Sequence, residues 1–165
     1  MKLKILTVLT FFLPFVVGLF LIEVNDVPIK EESNPSFLVL DKVDLLFKIL
    51  TNNTYVILIN VLGFLSFGGI TLLNTSYNGF VLGLFFNTIK QKTNLSLIFS
   101  SFLPHSIELV AILLSCYIGY CLSIKLYHYI FKEVMEFNFK DIKKILFCLI
   151  IVFISSLLEV FVSIR

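Results

Sequence analysis

The sequence has few charged residues for its length. Charged side chains make up 15% of its 165 residues, whereas about a quarter of the residues in an ordinary soluble domain are charged. Apolar residues make up 58%, and the mean hydropathy is +1.00. This composition argues against a soluble globular domain and predicts that a bilayer surrounds most of the chain. The net charge is only +2, so there is no extended basic face and nucleic-acid binding is excluded.

The sequence also lacks the motifs of common enzymes and of cysteine-based sites. Cys116, Cys121 and Cys148 lie inside apolar runs and match no paired spacing for zinc, redox or disulfide chemistry. We interpret them as small packing residues. The chain contains no nucleophile elbow, no phosphate-binding glycine loop and no His-Glu-x-x-His helix. We therefore expect neither enzymatic activity nor a bound cofactor.

Long uncharged runs predict an all-α, polytopic integral membrane helix bundle of about five spans, in one domain over residues 1–165. A run of about 18 apolar residues is long enough to cross the hydrocarbon core as a helix. Pro104 is predicted to open the fourth span, because proline is favourable at the first helical position. The runs long enough to cross are residues 5–22, 55–73, 104–131 and 145–164.

The third segment is unusual because its apolar runs are short. Residues 80–89 and 95–103 are largely apolar runs of ten and nine residues, and each run is too short to cross alone. Lys90 and Lys92 separate them, and a lysine at the bilayer centre costs about 3 kcal/mol by insertion scales. We therefore predict a short third crossing that reaches the surface at Lys90, followed by a re-entrant or surface segment.

Charge is distributed unevenly among the connecting segments. Residues 23–53 contain six acidic and three basic residues, and we predict that they form an outer acidic loop. Within it, residues 43–50 have helical apolar spacing and are predicted to lie on the bilayer surface. Asp41, Asp44 and Phe47 are the predicted docking residues for a partner.

The remaining basic residues predict the orientation of the chain. Residues 132–144 are predicted to form a charged cytoplasmic connector. A cytoplasmic amino terminus places seven basic residues inside and six outside, in agreement with the positive-inside rule. The expected location is the cell membrane, with several crossings.

A small set of ionisable residues falls within or beside the predicted spans. His105 and Glu108 are three residues apart, so they share one face of a helix. With five crossings, Glu23 and Glu159 reach the same outer leaflet. This set could bind a divalent cation, relay protons or hold a basic residue of a partner. We favour the simpler interpretation that Glu108 joins helices by pairing with His105 or a serine.

Asn74, Asn78 and Gly79 are predicted to form a turn into the short third span. An asparagine amide can cap a helix, and glycine permits a positive φ. The alternative is that the asparagines form the polar floor of a cavity between the second, third and fourth spans. Five glycines are predicted to mark close helix contacts: Gly63, Gly68, Gly79, Gly83 and Gly119.

Several short motifs between about residues 45 and 124 form one pattern. They are an Asn-Asn pair, an Asn-Gly turn with a glycine four residues on, and a Pro-His signature with a glutamate three residues after the histidine. Their positions are Asn52, Asn53, Asn78, Gly79, Gly83, Pro104, His105 and Glu108. This pattern resembles that of the stage II sporulation protein M family of integral membrane proteins. The family commonly has glycine after the histidine, where this chain has Ser106.

The resemblance implies a polytopic protein without enzymatic activity of its own. The family's namesake scaffolds peptidoglycan-degrading partners during engulfment, and similar proteins occur in bacteriocin gene clusters. Our first hypothesis is a scaffold or assembly subunit that docks partners such as cell-wall hydrolases. The second is a transport-related subunit that works with an export ATPase in peptide maturation, export or immunity. The third is an intramembrane metal-dependent hydrolase that uses His105 and Glu108.

The three hypotheses differ in the partners they require. All of them imply contact with membrane lipids, and the first implies other membrane or cell-surface proteins. The second requires an ATP-binding transport subunit. Each is compatible with a homo-oligomer.

Overall fold

The protein is a bundle of five α-helices. The computed structural model describes residues 2–20, 42–92, 95–133 and 138–163, with side chains for all of these except 89–104 and 162–163. No strand is present within these ranges, which confirms the all-α prediction. A 3₁₀ turn, Gly63–Ser66, follows α2, and a π-helical turn, Glu159–Ser163, ends the fifth helix. The helices are α1 (Lys2–Phe20), α2 (Lys42–Leu62), α3 (Gly69–Lys92), α4 (Leu95–Lys132) and α5 (Phe139–Leu158).

Four segments are long and apolar enough to cross a membrane. They retain many exposed apolar side chains, such as Leu13 and Tyr55, which are 61% and 65% exposed. Such exposure suits helices whose solvent is lipid. The predicted membrane helix bundle is therefore confirmed, although α3 is not among the spanning segments found. These segments are Lys2–Phe20, Lys42–Ser66, His105–Lys132 and Phe139–Phe161.

Successive helices run in alternating directions. The Thr71 hydroxyl at the start of α3 donates to the backbone carbonyl oxygen of Asn60 near the end of α2, and Lys125 of α4 meets Asp141 of α5. Helices α1, α3 and α5 therefore run one way, and α2 and α4 run the other. We call the end of the bundle that holds Lys2 and Lys132 the near end. The opposite end, where α1 ends and α2 begins, is the far end.

Helices α1 and α3 pack backbone against backbone through glycine. A Cβ added at Gly79 would overlap the carbonyl oxygen of Phe11, and one at Gly83 would overlap that of Phe15. Gly18 meets the carbonyl oxygen of Phe80 in the same way. In a membrane no hydrophobic force drives helices together, and small residues at the contact allow their backbones to pack closely. The predicted close contacts at Gly79 and Gly83 are confirmed.

The predicted turn at residues 74–79 is wrong. These residues are part of α3. The amide of Asn74 does not cap a helix but donates to the carbonyl oxygen of Val56 on α2. The chain reverses earlier, after the 3₁₀ turn, where Phe67 and Gly68 have φ values of 53° and 92°. The glycine takes this left-handed conformation without a Cβ clash. Their N–H groups donate to Phe64 and Gly63 carbonyls at 3.0 Å.

Three further predicted boundaries are also wrong. Pro104 does not open a helix, because α4 already begins at Leu95. Residues 43–50 are not a separate surface helix but the first part of α2, since no proline or glycine interrupts the chain between Lys42 and Leu62. The connector is shorter than 132–144, because Asn138 caps α5 and Asp141 completes a capping box. Glu23 and Asp41 lie outside the described residues.

The α1–α3 contact predicts that Gly79→Ala destabilises the protein by about 1–3 kcal/mol, because the added methyl group forces the two backbones apart. The matched control is Gly69→Ala, where a Cβ would meet only Ser66, at 3.6 Å. Thermal unfolding in detergent should show a lower midpoint for the first variant only. Equal midpoints would contradict the close packing.

The alternating order predicts that residues 33 and 91 are accessible from the same side of the membrane. Residues 21–41 connect the far ends of α1 and α2, and α3 reaches the far end at Lys92. Ser33→Cys and Gln91→Cys, in a cysteine-free background, should react with a membrane-impermeant maleimide from one side. Labelling from opposite sides would show that the helix order across the membrane is different.

Candidate functional site

Three ionisable side chains converge at the far end of the bundle. His105 and Glu108 lie one turn apart on α4, and Glu159 lies at the start of the π-helical turn after α5. One ligand atom from each residue lies within 4.8 Å of the other two. The sequence predicted that these residues reach the same leaflet, and the structure brings them into one cluster. We call this set the His-Glu-Glu cluster.

The imidazole of His105 is held by two neighbours. Its Nδ1 atom lies 3.3 Å from Oε2 of Glu108, which is the pairing that the three-residue spacing predicts. Its ring meets the ring of Phe85 on α3 edge to face, with 5.5 Å between centroids. The side chains of His105 and Glu108 are 24% and 19% exposed. The pair is therefore largely buried, and its orientation is fixed.

Glu159 lies at the point where α5 gives way to a π-helical turn. Its backbone N–H donates to the carbonyl oxygens of Ser155 and Ser156, and residues from Glu159 onward form a π-helical turn. Such turns are rare in proteins, and those that occur are often found at functional sites. Lys42 of α2 lies 5.9 Å from the ring centroid of Phe161, so the start of α2 contacts the same turn.

A cavity of about 250 Å³ opens beside the cluster. Most of its wall is apolar, with phenylalanine and aliphatic side chains from α1, α3 and α4. The polar part of its wall consists of Asn52, Asn78, His105 and Glu108. The expected polar floor is thus formed by Asn78 and Asn52, whereas Asn74 faces the bundle core. A small molecule with a polar end and an apolar body fits this lining.

Asn78, Gly79 and Gly83 lie on α3, which forms part of the cavity wall. The amide of Asn78 donates to the carbonyl oxygen of Asn74 at 2.8 Å, and the two glycines hold α3 against α1. The side chain of Pro104 lies outside the described residues. Three of the family-motif positions therefore place the cavity relative to α1.

Sequence reasoning missed a buried hydrogen-bond network in the middle of the bundle. The side chain of Asn60 is fully buried, and its amide donates to Ser115 at 2.9 Å. Its side-chain oxygen accepts from Asn74 at 2.7 Å and from Thr75 at 3.0 Å. The sequence signal for this network is an asparagine within an otherwise apolar run. Such a side chain in a membrane span needs hydrogen-bond partners on other helices.

The near end has a charge cluster of its own. Lys125 Nζ lies 2.6 Å from Oδ2 of Asp141, and Lys144 Nζ lies 3.6 Å from Oδ1. The carboxylate of Asp141 also accepts from the N–H of Asn138. This ion pair ties α4 to the first turn of α5. The two ends of α5 are therefore attached to α4 by different chemistry.

The predicted docking residues that the structure describes are exposed. Asp44 and Phe47 lie on the first turns of α2, and Phe47 is 62% exposed. They are separated from the cavity by Asn52, which borders both the cavity and a shallow groove beside Phe47. The structure thus does not bring the docking residues into the His-Glu-Glu cluster.

The His105–Glu108 contact predicts that Glu108→Gln is milder than Glu108→Leu, because glutamine keeps a hydrogen-bond partner for the imidazole. We expect a difference of about 1–2 kcal/mol in unfolding free energy. It is measured by thermal unfolding in detergent with a chelator, so that bound metal does not contribute. Asp44→Asn and Asp44→Leu, at an exposed position, should differ little. Equal losses at position 108 would show that hydrogen bonding is not the stabilising interaction.

Comparison with known proteins connects this arrangement to one family. A family model described as Stage II sporulation protein M matches residues 7–164. A protein of Methanocaldococcus jannaschii, described as uncharacterised, is 32% identical over 96% of this chain and 92% of its own length. No solved structure matches the chain with significance. The match extends well beyond the motifs between residues 45 and 124, and the chain belongs to the stage II sporulation protein M family.

Proposed function

We propose that the chain is a membrane scaffold or assembly subunit without enzymatic activity of its own. The observation that carries the proposal is an exposed stripe on the first part of α2. Val43, Phe47 and Tyr55 are 54%, 62% and 65% exposed. With the exposed Thr51 they repeat every four residues, so they follow one side of the helix. We call these four residues the α2 stripe.

The chemistry beside the α2 stripe favours a protein partner over lipid alone. Asp44 and Lys48 are exposed next to Phe47, and Asn52 borders the groove beside it. A carboxylate facing acyl chains is unfavourable, whereas an amphipathic helix with basic residues satisfies both the apolar and the acidic groups. The proposed partner is therefore a membrane or cell-surface protein that presents such a helix.

The charge distribution supports a cytoplasmic near end. Basic residues there outnumber acidic ones among the described positions, and positive charge is retained on the cytoplasmic side. In this orientation the amino terminus is inside and the chain crosses the membrane several times. The α2 stripe then lies at the outer side of the membrane, where a cell-wall hydrolase is a suitable partner. The basic residues described at the near end are Lys2, Lys4, Lys125, Lys132, Lys140, Lys143 and Lys144.

The rest of the bundle suits a protein that presents a surface. Several asparagine, threonine and glycine residues contact one another between helices, among them Asn60 of α2, Thr75 of α3 and Gly119 of α4. A bundle held in this way keeps the α2 stripe in a fixed position relative to the other helices. Preorganisation of this kind lowers the entropy lost on association.

The scaffold proposal predicts that Asp44→Lys weakens partner binding about threefold to tenfold, because it reverses the attraction for a basic segment. The matched control is Glu133→Lys, which makes the same charge change at an exposed position of the near end. A photo-crosslinker at Phe47 identifies the partner, and quantitative co-purification in mild detergent measures the loss. Membrane levels of both variants should equal that of the unmodified chain.

The outcome also separates the scaffold role from transport. Recovery of a cell-wall hydrolase that depends on Asp44 supports the scaffold. Recovery of an ATP-binding subunit that is unaffected by Asp44→Lys would favour the transport-related role in its place. Binding that survives Asp44→Lys combined with Phe47→Ala would show that the docking surface lies elsewhere.

A further inference from the structure

We propose that the His-Glu-Glu cluster binds one divalent transition-metal ion, which joins α4 to the end of α5. The donors are one imidazole nitrogen and two carboxylate oxygens, from His105, Glu108 and Glu159. They come from two helices that are far apart in sequence, so a shared ion would fix the helices relative to each other. This inference goes beyond the scaffold role and does not depend on it.

The distances in the cluster suit a metal centre. Zinc binds imidazole nitrogen and carboxylate oxygen at about 2.0–2.2 Å, so neighbouring ligand atoms in such a site stand roughly 3.0–3.5 Å apart. His105 and Glu108 already meet this distance, with 3.3 Å between Nδ1 and Oε2. The full set lies within 4.8 Å. Binding of the ion would draw the carboxylate of Glu159 closer to the pair than this limit.

The charges of the cluster call for a cation. Two carboxylates and one imidazole lie together, and none of the lysines whose side chains the structure describes forms a salt bridge with Glu108 or Glu159. At the near end, by contrast, the carboxylate of Asp141 has two lysines beside it. Neighbouring carboxylates in a partly buried site repel each other unless a proton or a cation lies between them. A divalent ion satisfies both carboxylates at once.

The donor set selects the class of ion. Mg²⁺ and Ca²⁺ take oxygen ligands almost entirely, so an imidazole in the set disfavours them. Imidazole with carboxylate suits Zn²⁺, Mn²⁺ and Fe²⁺, and the cluster contains no thiolate. Three protein ligands leave at least one position open on the ion. The amides of Asn52 and Asn78 line the adjoining cavity and can orient a water molecule there.

The local backbone at Glu159 provides a separate reason to assign a role to this residue. The α-helix becomes a π-helix at Glu159, and residues 159–163 carry that pitch. Such turns are frequent at functional sites. The His105 ring on α4 packs against the Phe85 ring of α3. This contact fixes the plane of the imidazole and prepares it to bind the ion.

The test is a Zn²⁺ titration of the purified full-length chain in detergent, after removal of metal with a chelator. We expect one Zn²⁺ per chain, and weaker binding of Mg²⁺ and Ca²⁺. His105→Gln, Glu108→Gln and Glu159→Gln should each weaken Zn²⁺ binding by about tenfold or more, since even loss of a supporting group commonly weakens a site by about that factor. Size-exclusion chromatography checks that each variant remains folded.

The matched control for the histidine is His128→Gln, because the chain contains two histidines. Asp44→Asn controls for loss of a carboxylate at the far end, and Cys121→Ser controls for binding at a half-buried thiol. All three should bind Zn²⁺ as the unmodified chain does. Equal affinity of His105→Gln and His128→Gln, or absence of Zn²⁺ binding by the unmodified chain, would overturn the proposal.

X-ray absorption of the zinc-loaded, unmodified chain gives a second result that needs no variant. We expect nitrogen and oxygen neighbours, including one imidazole, and no sulfur in the ligand shell. A sulfur neighbour would assign the ion to a cysteine and would overturn the site. Loss of Zn²⁺ binding in the cluster variants with unchanged partner binding would support the metal site and leave the scaffold role independent of it.

Discussion

The arrangement of the helices depends on satisfying one buried amide. Asn60 lies near the end of α2 and is fully buried. Its side chain bonds to Ser115 on α4 and to Asn74 and Thr75 on α3, while its backbone carbonyl accepts from the Thr71 hydroxyl at 2.8 Å. Because a polar group without a partner in a low-dielectric interior costs about 1–3 kcal/mol, this set of bonds specifies which faces of α2, α3 and α4 meet. Glycine then determines how closely they meet, since a Cβ at Gly119 would overlap the carbonyl oxygen of Asn60.

The far-end site follows from this central network. With α2, α3 and α4 held together at this network, Asn52 on α2, Asn78 on α3 and Glu108 on α4 lie around one cavity. Helix α1 closes the cavity on another side, because Gly79 and Gly83 hold it against α3. The motif positions shared with the stage II sporulation protein M family therefore act together. Through their packing they form a largely apolar cavity whose polar part includes a histidine-carboxylate pair.

The helical nature of the chain and part of the cluster could be predicted from the sequence. Long apolar runs determine spanning helices by length, and the spacing of His105 and Glu108 determines that their side chains meet. The break between α2 and α3 could not be predicted, because it depends on a left-handed Phe67-Gly68 pair inside an apolar run. Asn74 has the composition of a turn residue, but its bond to Val56 is a contact between helices. Local propensity cannot reveal such a partner.

Helix α5 packs against the bundle through Cys148 and Val152, which are fully buried, and it brings a charged side chain to α4 at each end. At the near end two lysines neutralise Asp141, so that attachment is complete within the protein. At the far end Glu159 joins a cluster that already contains Glu108, so that attachment depends on what lies between the carboxylates. Interactions between like charges are resolved either by a proton or by a cation. A proton or a cation shared by these carboxylates would therefore act on the far end of α5, where the ring of Phe161 also lies near Lys42 of α2.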